Sequence, residues 1–217
     1  IPDGALNLIR HPQSLTSRLL KILRIFRLLY SKNMRYTFYG GDRLGADADF
    51  VKSIYVISGV KTEYNQKKVI QLKPFSLNKL IKIRQTKRAI IIGQPLTGYK
   101  LIDQKQLMKI SNEIKEWSFA QGIEEVFYKS HPKDNEENLY EEGYKLLQEA
   151  MIIENFLSKN FFDYVVGVHS SVLIYAKQIY GNQTEVISFG LDKLKFKNQN
   201  LKLKLHNLYD ELGIVIR

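Results

Sequence analysis

In "VFYKSHPKD" an apolar run closes on His131 and Pro132, with Lys129 and Lys133 two residues to either side of the imidazole. An imidazole in that position either hydrogen-bonds within its own loop or meets a phosphate, as a donor or as the acid that protonates a leaving phosphate oxygen. The lysines disfavour the imidazolium and a bound phosphate favours it, so substrate binding would itself prepare the acid. A second group is Ser170 and Ser171 in "VVGVHSSVLIYAKQ". A serine there caps a helix, and a pair of serines beside first-turn amides and a positive helix end also cradles a phosphate. Both roles are open to the same residues. A third candidate is Asp3 in "IPDG", either a turn residue or a base that deprotonates a sugar hydroxyl. His11 and Pro12 repeat the His-Pro pair but follow no strand of the pattern described next, and are set aside.

From Lys87 onward, apolar runs alternate with helical segments. "RAIIIGQPL", "EEVFYKSHP", "FDYVVGVHSS" and "TEVISFG" read as strands; "DQKQLMKISNEIKEWSFAQG", "NLYEEGYKLLQEAMIIENFLSKN" and "VLIYAKQIYG" read as helices. Strands without polar alternation, separated by helices, predict a parallel sheet covered on both faces. The expected class is α/β, with a Rossmann-like half. Ligands of such sheets bind beyond the carboxyl ends of the strands. That rule sets Gln94 and Pro95, His131 and Pro132, His169, Ser170 and Ser171, and Phe189 and Gly190 along one rim, with Gly93, Lys129 and Lys133 beside them as further nucleotide-binding candidates. The closing segment "NLKLKLHNLYDELGIVIR" reads as a helix that packs back across the domains. The expected division is 1–86 and 87–217, the first part holding a basic amphipathic helix over Ser17 to Arg35 and short aromatic strands with glycine turns.

A chain of 217 residues with 44% hydrophobic and 25% charged residues is long enough for one large domain or two small ones, each with a core. It has no cysteine, which excludes disulfides and thiolate metal sites. The formal charge of +11 suits an anionic partner: nucleic acid, an anionic lipid surface or a phosphorylated small molecule. The lysines are scattered and no aromatic-interleaved recognition motif accompanies them, which argues against nucleic acid. The helix at 17–35 is of the kind that lies in an anionic headgroup region, and equally of the kind that packs on its own domain. No apolar run is long enough to cross a membrane. The first residues, "IPDGALNLIRHP", lack a signal peptide's pattern and an initiator methionine, so the chain reads as a piece of a longer one. Asp47 and Asp49 in "GADADF" fall outside the Rossmann half and read as a turn or helix cap, not a metal clamp.

"PDG" (Pro2 to Gly4), "YKSHPK" (Tyr128 to Lys133) and "HSS" (His169 to Ser171), in this order and with "IIIGQPL" in support, resemble the motifs of bacterial sialyltransferases. The resemblance is to the lipooligosaccharide sialyltransferases (glycosyltransferase family 52) and the related bacterial polysialyltransferases. The first motif here carries one acidic residue where those families commonly have two. The resemblance implies the C-terminal part of a GT-B enzyme, with a nucleotide-binding half and the end of an incomplete acceptor half. It further implies CMP-sialic acid as donor, a glycan acceptor, inversion at the anomeric centre, and no metal or other cofactor. Residue by residue, it assigns Asp3 as general base, His131 to the CMP phosphate and the leaving group, and Ser170 and Ser171 to the phosphate. The protein is expected in the bacterial cytoplasm, where the basic excess suits a doubly anionic donor and a peripheral place on the inner face of the membrane, and a homodimer is left open. Another nucleotide-sugar-dependent GT-B transferase would keep the same fold; a basic nucleic-acid-binding module is the remaining alternative.

Overall fold

The computed structural model describes residues 10, 13–26, 39, 42, 45–72, 86–133, 139–148, 152–196 and 199–217. The chain divides into two compact units, Ile1–Leu72 and Lys73–Arg217. The sequence places the boundary at 86–87; residues 73–85, between the two divisions, lie outside the described ones.

In the first unit, helix α1 (Leu15–Ile25) is followed by strands β1 (Ile54–Ile57) and β2 (Val69–Leu72), a parallel pair with Ile54 opposite Val69. Its small core consists of Ile54, Val56 and Tyr64, against which Ala46, Val51 and Val69 pack. A carboxylate network organises the loop before β1. Asp42 Oδ1 accepts from the backbone N–H of Gly45 (2.6 Å) and Ala46 (3.2 Å), and Tyr64 donates its hydroxyl to Asp42 Oδ2 at 2.5 Å. Asp47 accepts from the Asp42 N–H and pairs with Arg10. Helix α1 turns apolar side chains outward, with Leu15 at 77% and Leu19 at 60% exposure, while Lys21 is buried over the Tyr39 ring.

The second unit contains β3 (Arg88–Ile92), α2 (Gln104–Ala120), β4 (Glu125–Lys129), β5 (Lys145–Leu146), α3 (Ile153–Lys159), β6 (Tyr164–Gly167), α4 (Ser171–Tyr180), β7 (Glu185–Ser188), α5 (Gln199–Glu211) and β8 (Val215–Ile216). Its six-stranded sheet runs in the order β5-β4-β3-β6-β7-β8, with every neighbouring pair parallel. This is a Rossmann-like α/β arrangement, as the unalternating apolar runs predict. From β3 the chain winds one way to β4; from β6 it winds the other way to β7, so the topological switch lies between β3 and β6. Opposite winding with right-handed crossovers sets helices on opposite faces. The side chains agree: Trp117 of α2 meets the Tyr164 ring of β6, whereas Gly167, on the other parity of the same strand, faces Leu173 of α4.

Two expectations are corrected. Residues 138–160 do not form one helix: Gly143 takes a positive φ of 95°, Lys145–Leu146 pairs with β4 as an edge strand, and among the described residues of the span only Ile153–Lys159 is helical. The closing segment is helical only to Glu211; Gly213, at φ 67°, turns the chain so that Val215–Ile216 adds to the sheet beside β7. In both places a glycine in a conformation that L side chains rarely adopt ends the helical pattern.

Candidate functional site

At the carboxyl ends of β3 and β4 and the start of α4 lies a cavity of about 230 Å³. Gly93, Lys129, His131, Pro132 and Ser170 line it, so five of the sequence-predicted residues meet there. They arrive on three supports, the ends of β3 and β4 and the start of α4. Gly93 ends β3, and its N–H donates to the Lys129 carbonyl at 2.9 Å, tying the two strand ends together. A Cβ at Gly93 would stand 2.3 Å from the Tyr128 hydroxyl, so only glycine lets β3 and β4 approach this closely. Lys129 is the last residue of β4, is buried, and lines the cavity.

His131 follows at the strand's end. Its Nδ1 accepts from the Lys133 backbone N–H at 3.1 Å. A nitrogen that accepts carries no proton, so the ring is the neutral tautomer with its proton on Nε2. In this state His131 can donate a hydrogen bond, whereas transferring a proton would first require the imidazolium and the loss of the Lys133 bond.

Ser170 caps α4: its Oγ accepts from the Val172 N–H at 3.2 Å, and Ser171 begins the helix. The cap and the cradle predicted for this serine are thus compatible, because Ser170 also faces the cavity. Gln94 is buried between the ends of β3 and β6. Its Oε1 accepts from the Val168 N–H (3.2 Å) and the His169 N–H (2.8 Å), and its amide nitrogen is 2.9 Å from His169 Nδ1. Burial holds the His169 ring down to about 4, from an ordinary 6.5. Its ring also lies against Phe196.

The other predicted residues take up supporting places. Pro95 is buried, and its carbonyl accepts from the Tyr99 N–H. Phe189 packs on Trp117, and Gly190, at φ 71°, touches Ile110 of α2 and donates to the Arg217 carbonyl at 2.7 Å. Neither lines the cavity. Lys133 is exposed beside His131. Asp3 lies outside the described residues.

Two residues at the cavity, Ser130 and Glu154, have no place in the sequence reading, and a third, His169, stands on the predicted rim without a role of its own. Ser130 is buried, and its hydroxyl finds no hydrogen-bond partner among the described residues, although it lines the cavity. Its place between Lys129 and His131 is the only local signal it offers. Glu154, in the first turn of α3, brings a carboxylate to the same cavity, and its charge acts on Tyr175 as well. No spacing connects it with His131. His169 is on the predicted rim, but its partner Gln94 is distant in sequence and shows only in the structure.

Residues 15–188 match the family model for alpha-2,8-polysialyltransferase (POLYST). The chain belongs to the alpha-2,8-polysialyltransferase family. Of the two groups that its motifs resemble, this is the one matched, and the matched span includes the cavity and both the His-Pro and Ser-Ser motifs. No curated protein matches the sequence. Among solved structures, KpsC from Thermosulfurimonas dismutans, a beta Kdo 2,4 transferase, is similar at 18% identity and a TM-score of 0.38. That alignment covers 68% of this chain and 49% of the KpsC chain, so this chain spans about half the length of that relative. MAR1 ribonuclease from Caenorhabditis elegans aligns at 12% identity and a TM-score of 0.40, over 62% of this chain and 78% of its own. The nicotinamidase SaPncA from Staphylococcus aureus aligns at 14% identity and 0.38, over 61% and 99%.

Proposed function

We propose that this member of the polysialyltransferase family binds CMP-sialic acid and transfers the sialic acid to a sugar hydroxyl of a cell-surface glycan. What carries the reading is the cavity in which the family-matched segment gathers Lys129, His131 and Ser170. In the transfer the anomeric carbon–oxygen bond to CMP breaks, and the phosphate keeps the electron pair. The main demand is therefore stabilisation of that developing charge by groups already in place. Lys129 supplies a cation, His131 donates from Nε2, and Ser170 and Ser171 with the first-turn amides of α4 surround the phosphate. The acceptor hydroxyl attacks the opposite face, inverting the centre and giving its proton to Asp3. In this reading the enzyme is of GT-B type, uses no metal, and relates to the family 52 lipooligosaccharide enzymes as well.

Calorimetric titration of the chain with CMP and with UMP tests this. CMP is expected to bind the more tightly, and His131→Ala and Ser170→Ala each to weaken it by about tenfold, the loss of one good hydrogen bond. Equal binding of the two nucleotides would favour another nucleotide-sugar donor, and indifference to both substitutions would remove the phosphate assignment.

Helix α1 supports a second reading, docking on an anionic membrane at the inner face of the cytoplasmic membrane. Leu15, Leu19, Leu20, Ile22, Leu23 and Phe26 are all exposed, and among the described residues no helix is long and apolar enough to cross a bilayer. An exposed apolar face on a basic helix suits the headgroup boundary. Cosedimentation with phosphatidylglycerol vesicles, absent with phosphatidylcholine and for Leu19→Glu, is the expected outcome; equal pelleting with both lipids would contradict it.

A further inference from the structure

Gln94 and His169 face each other at the one place in the sheet where the winding reverses, beyond the ends of β3 and β6. The orientation of the Gln94 amide is forced. Its oxygen accepts two backbone N–H groups, from Val168 and His169, and turning the amide over would set its NH2 against both donors. The NH2 therefore points to His169 Nδ1 and donates to it at 2.9 Å. An accepting Nδ1 leaves the ring proton on Nε2. The same side chain thus holds the backbone of the turn that leads into Ser170 and selects the tautomer of the ring beside it.

We infer that Gln94 is a positioning residue that fixes His169 as a neutral Nε2–H donor to the phosphate group received at the start of α4. This rests on the proposed donor site. The ring is suited to that duty, since a neutral donor needs no proton uptake to act, and burial disfavours the imidazolium; no charged side chain contributes to that effect. Among the described residues, the Gln94 amide and the Phe196 ring lie against the imidazole. Ser170, next in the chain, is the helix cap and a wall of the cavity. Gln94 so acts through His169 and the turn, not by touching the nucleotide.

Nitrogen-15 NMR of the histidine rings, with CMP titration alongside, tests the inference. In the native chain the His169 signal should be that of the Nε2–H tautomer and should stay so from pH 7 to 5. Gln94→Glu keeps an acceptor for the two backbone N–H groups but has nothing to donate to Nδ1. It should therefore move His169 to the Nδ1–H form or raise its titration midpoint, and weaken CMP by about tenfold, one hydrogen bond's worth. His169→Gln, whose amide nitrogen reaches near the Nε2 position, should keep more affinity than His169→Asn. A purely structural role would change stability without moving the tautomer. An Nδ1–H ring in the native chain, a tautomer indifferent to Gln94→Glu, or CMP affinity unchanged in Gln94→Glu and His169→Asn each overturns the inference. If CMP fails to bind the native chain, the donor reading falls, and the ring spectra alone still decide whether Gln94 governs His169.

Discussion

At Gly93 the site depends on an absent side chain. The fully buried Tyr128 ring occupies the space that a Cβ would need, and its hydroxyl would be 2.3 Å from the added carbon. Gly93→Ala is expected to lower stability by about 1–3 kcal/mol through overpacking, seen as a reduced midpoint in urea. The carbonyl of Lys129, which would stand 3.1 Å from the same carbon, should shift with it, so CMP affinity is expected to fall as well. Unchanged stability would mean that Tyr128 moves aside without cost. His131 and the Ser170–Ser171 pair are legible in the sequence because their chemistry is carried by residue type and by a position after an apolar run. Ser130, Glu154 and the Gln94–His169 pair are not, because what distinguishes them is a neighbour brought by another strand or helix.

Among the elements, the glycines that end them separate two kinds of cost. Gly181 closes α4 at φ 59° with nothing within 4 Å of a would-be Cβ, while Gly190 follows β7 at φ 71° with Ile110 of α2 only 2.4 Å from one. Gly181→Ala should cost about 1–3 kcal/mol from backbone strain alone, because φ 59° with ψ −125° lies outside the left-handed helical region and suits only glycine. Gly190→Ala, in the milder left-handed helical conformation (φ 71°, ψ 19°), should cost about 1–2 kcal/mol in strain and about 1–3 kcal/mol more from collision with a fully buried side chain. Chemical denaturation of each variant checks these values, and a Gly190→Ala loss no larger than the strain of about 1–2 kcal/mol would show that α2 yields. The four central strands are readable from the sequence because a strand buried on both faces is apolar throughout. Strands β5 and β8 are not: two residues have no periodicity, and their pairing partners are set by the edge that the sheet happens to leave open. The same limit explains the failed helix at 138–160, where apolar spacing continues across Gly143 although the backbone does not.

For the whole molecule, buried titratable groups set the pH range of stability. Burial raises the hydroxyls of Tyr180 and Tyr209 well above the ordinary 10, and that of Tyr144 up to about 12. Raised groups keep their full contribution below the unfolded value and lose it as pH climbs toward the folded one, so stability should fall above about pH 10. His169 acts at the other end. Its folded value near 4 lies below the ordinary 6.5, so the unfolded chain takes up the proton first, and stability should fall from pH 6.5 down through 4. The acid loss is on the order of 3 kcal/mol, and His169→Gln should remove that part of it. Thermal unfolding across pH 4 to 11 is expected to show a plateau between the two limits; a flat acid limb in the native chain would contradict the buried, neutral His169.

The residues by themselves determined the α/β class, the rim on which the site lies and the His-Pro and Ser-Ser groups, because apolar continuity and side-chain chemistry are local properties. Only the tertiary structure decided that β3 and β6 lie side by side at the reversal of the sheet. That adjacency makes Gln94 the partner of His169, brings Ser130 and Glu154 to the cavity, and packs Gly190 against Ile110. Strand order follows from how the whole sheet buries its faces, a sum over many residues that no short stretch encodes.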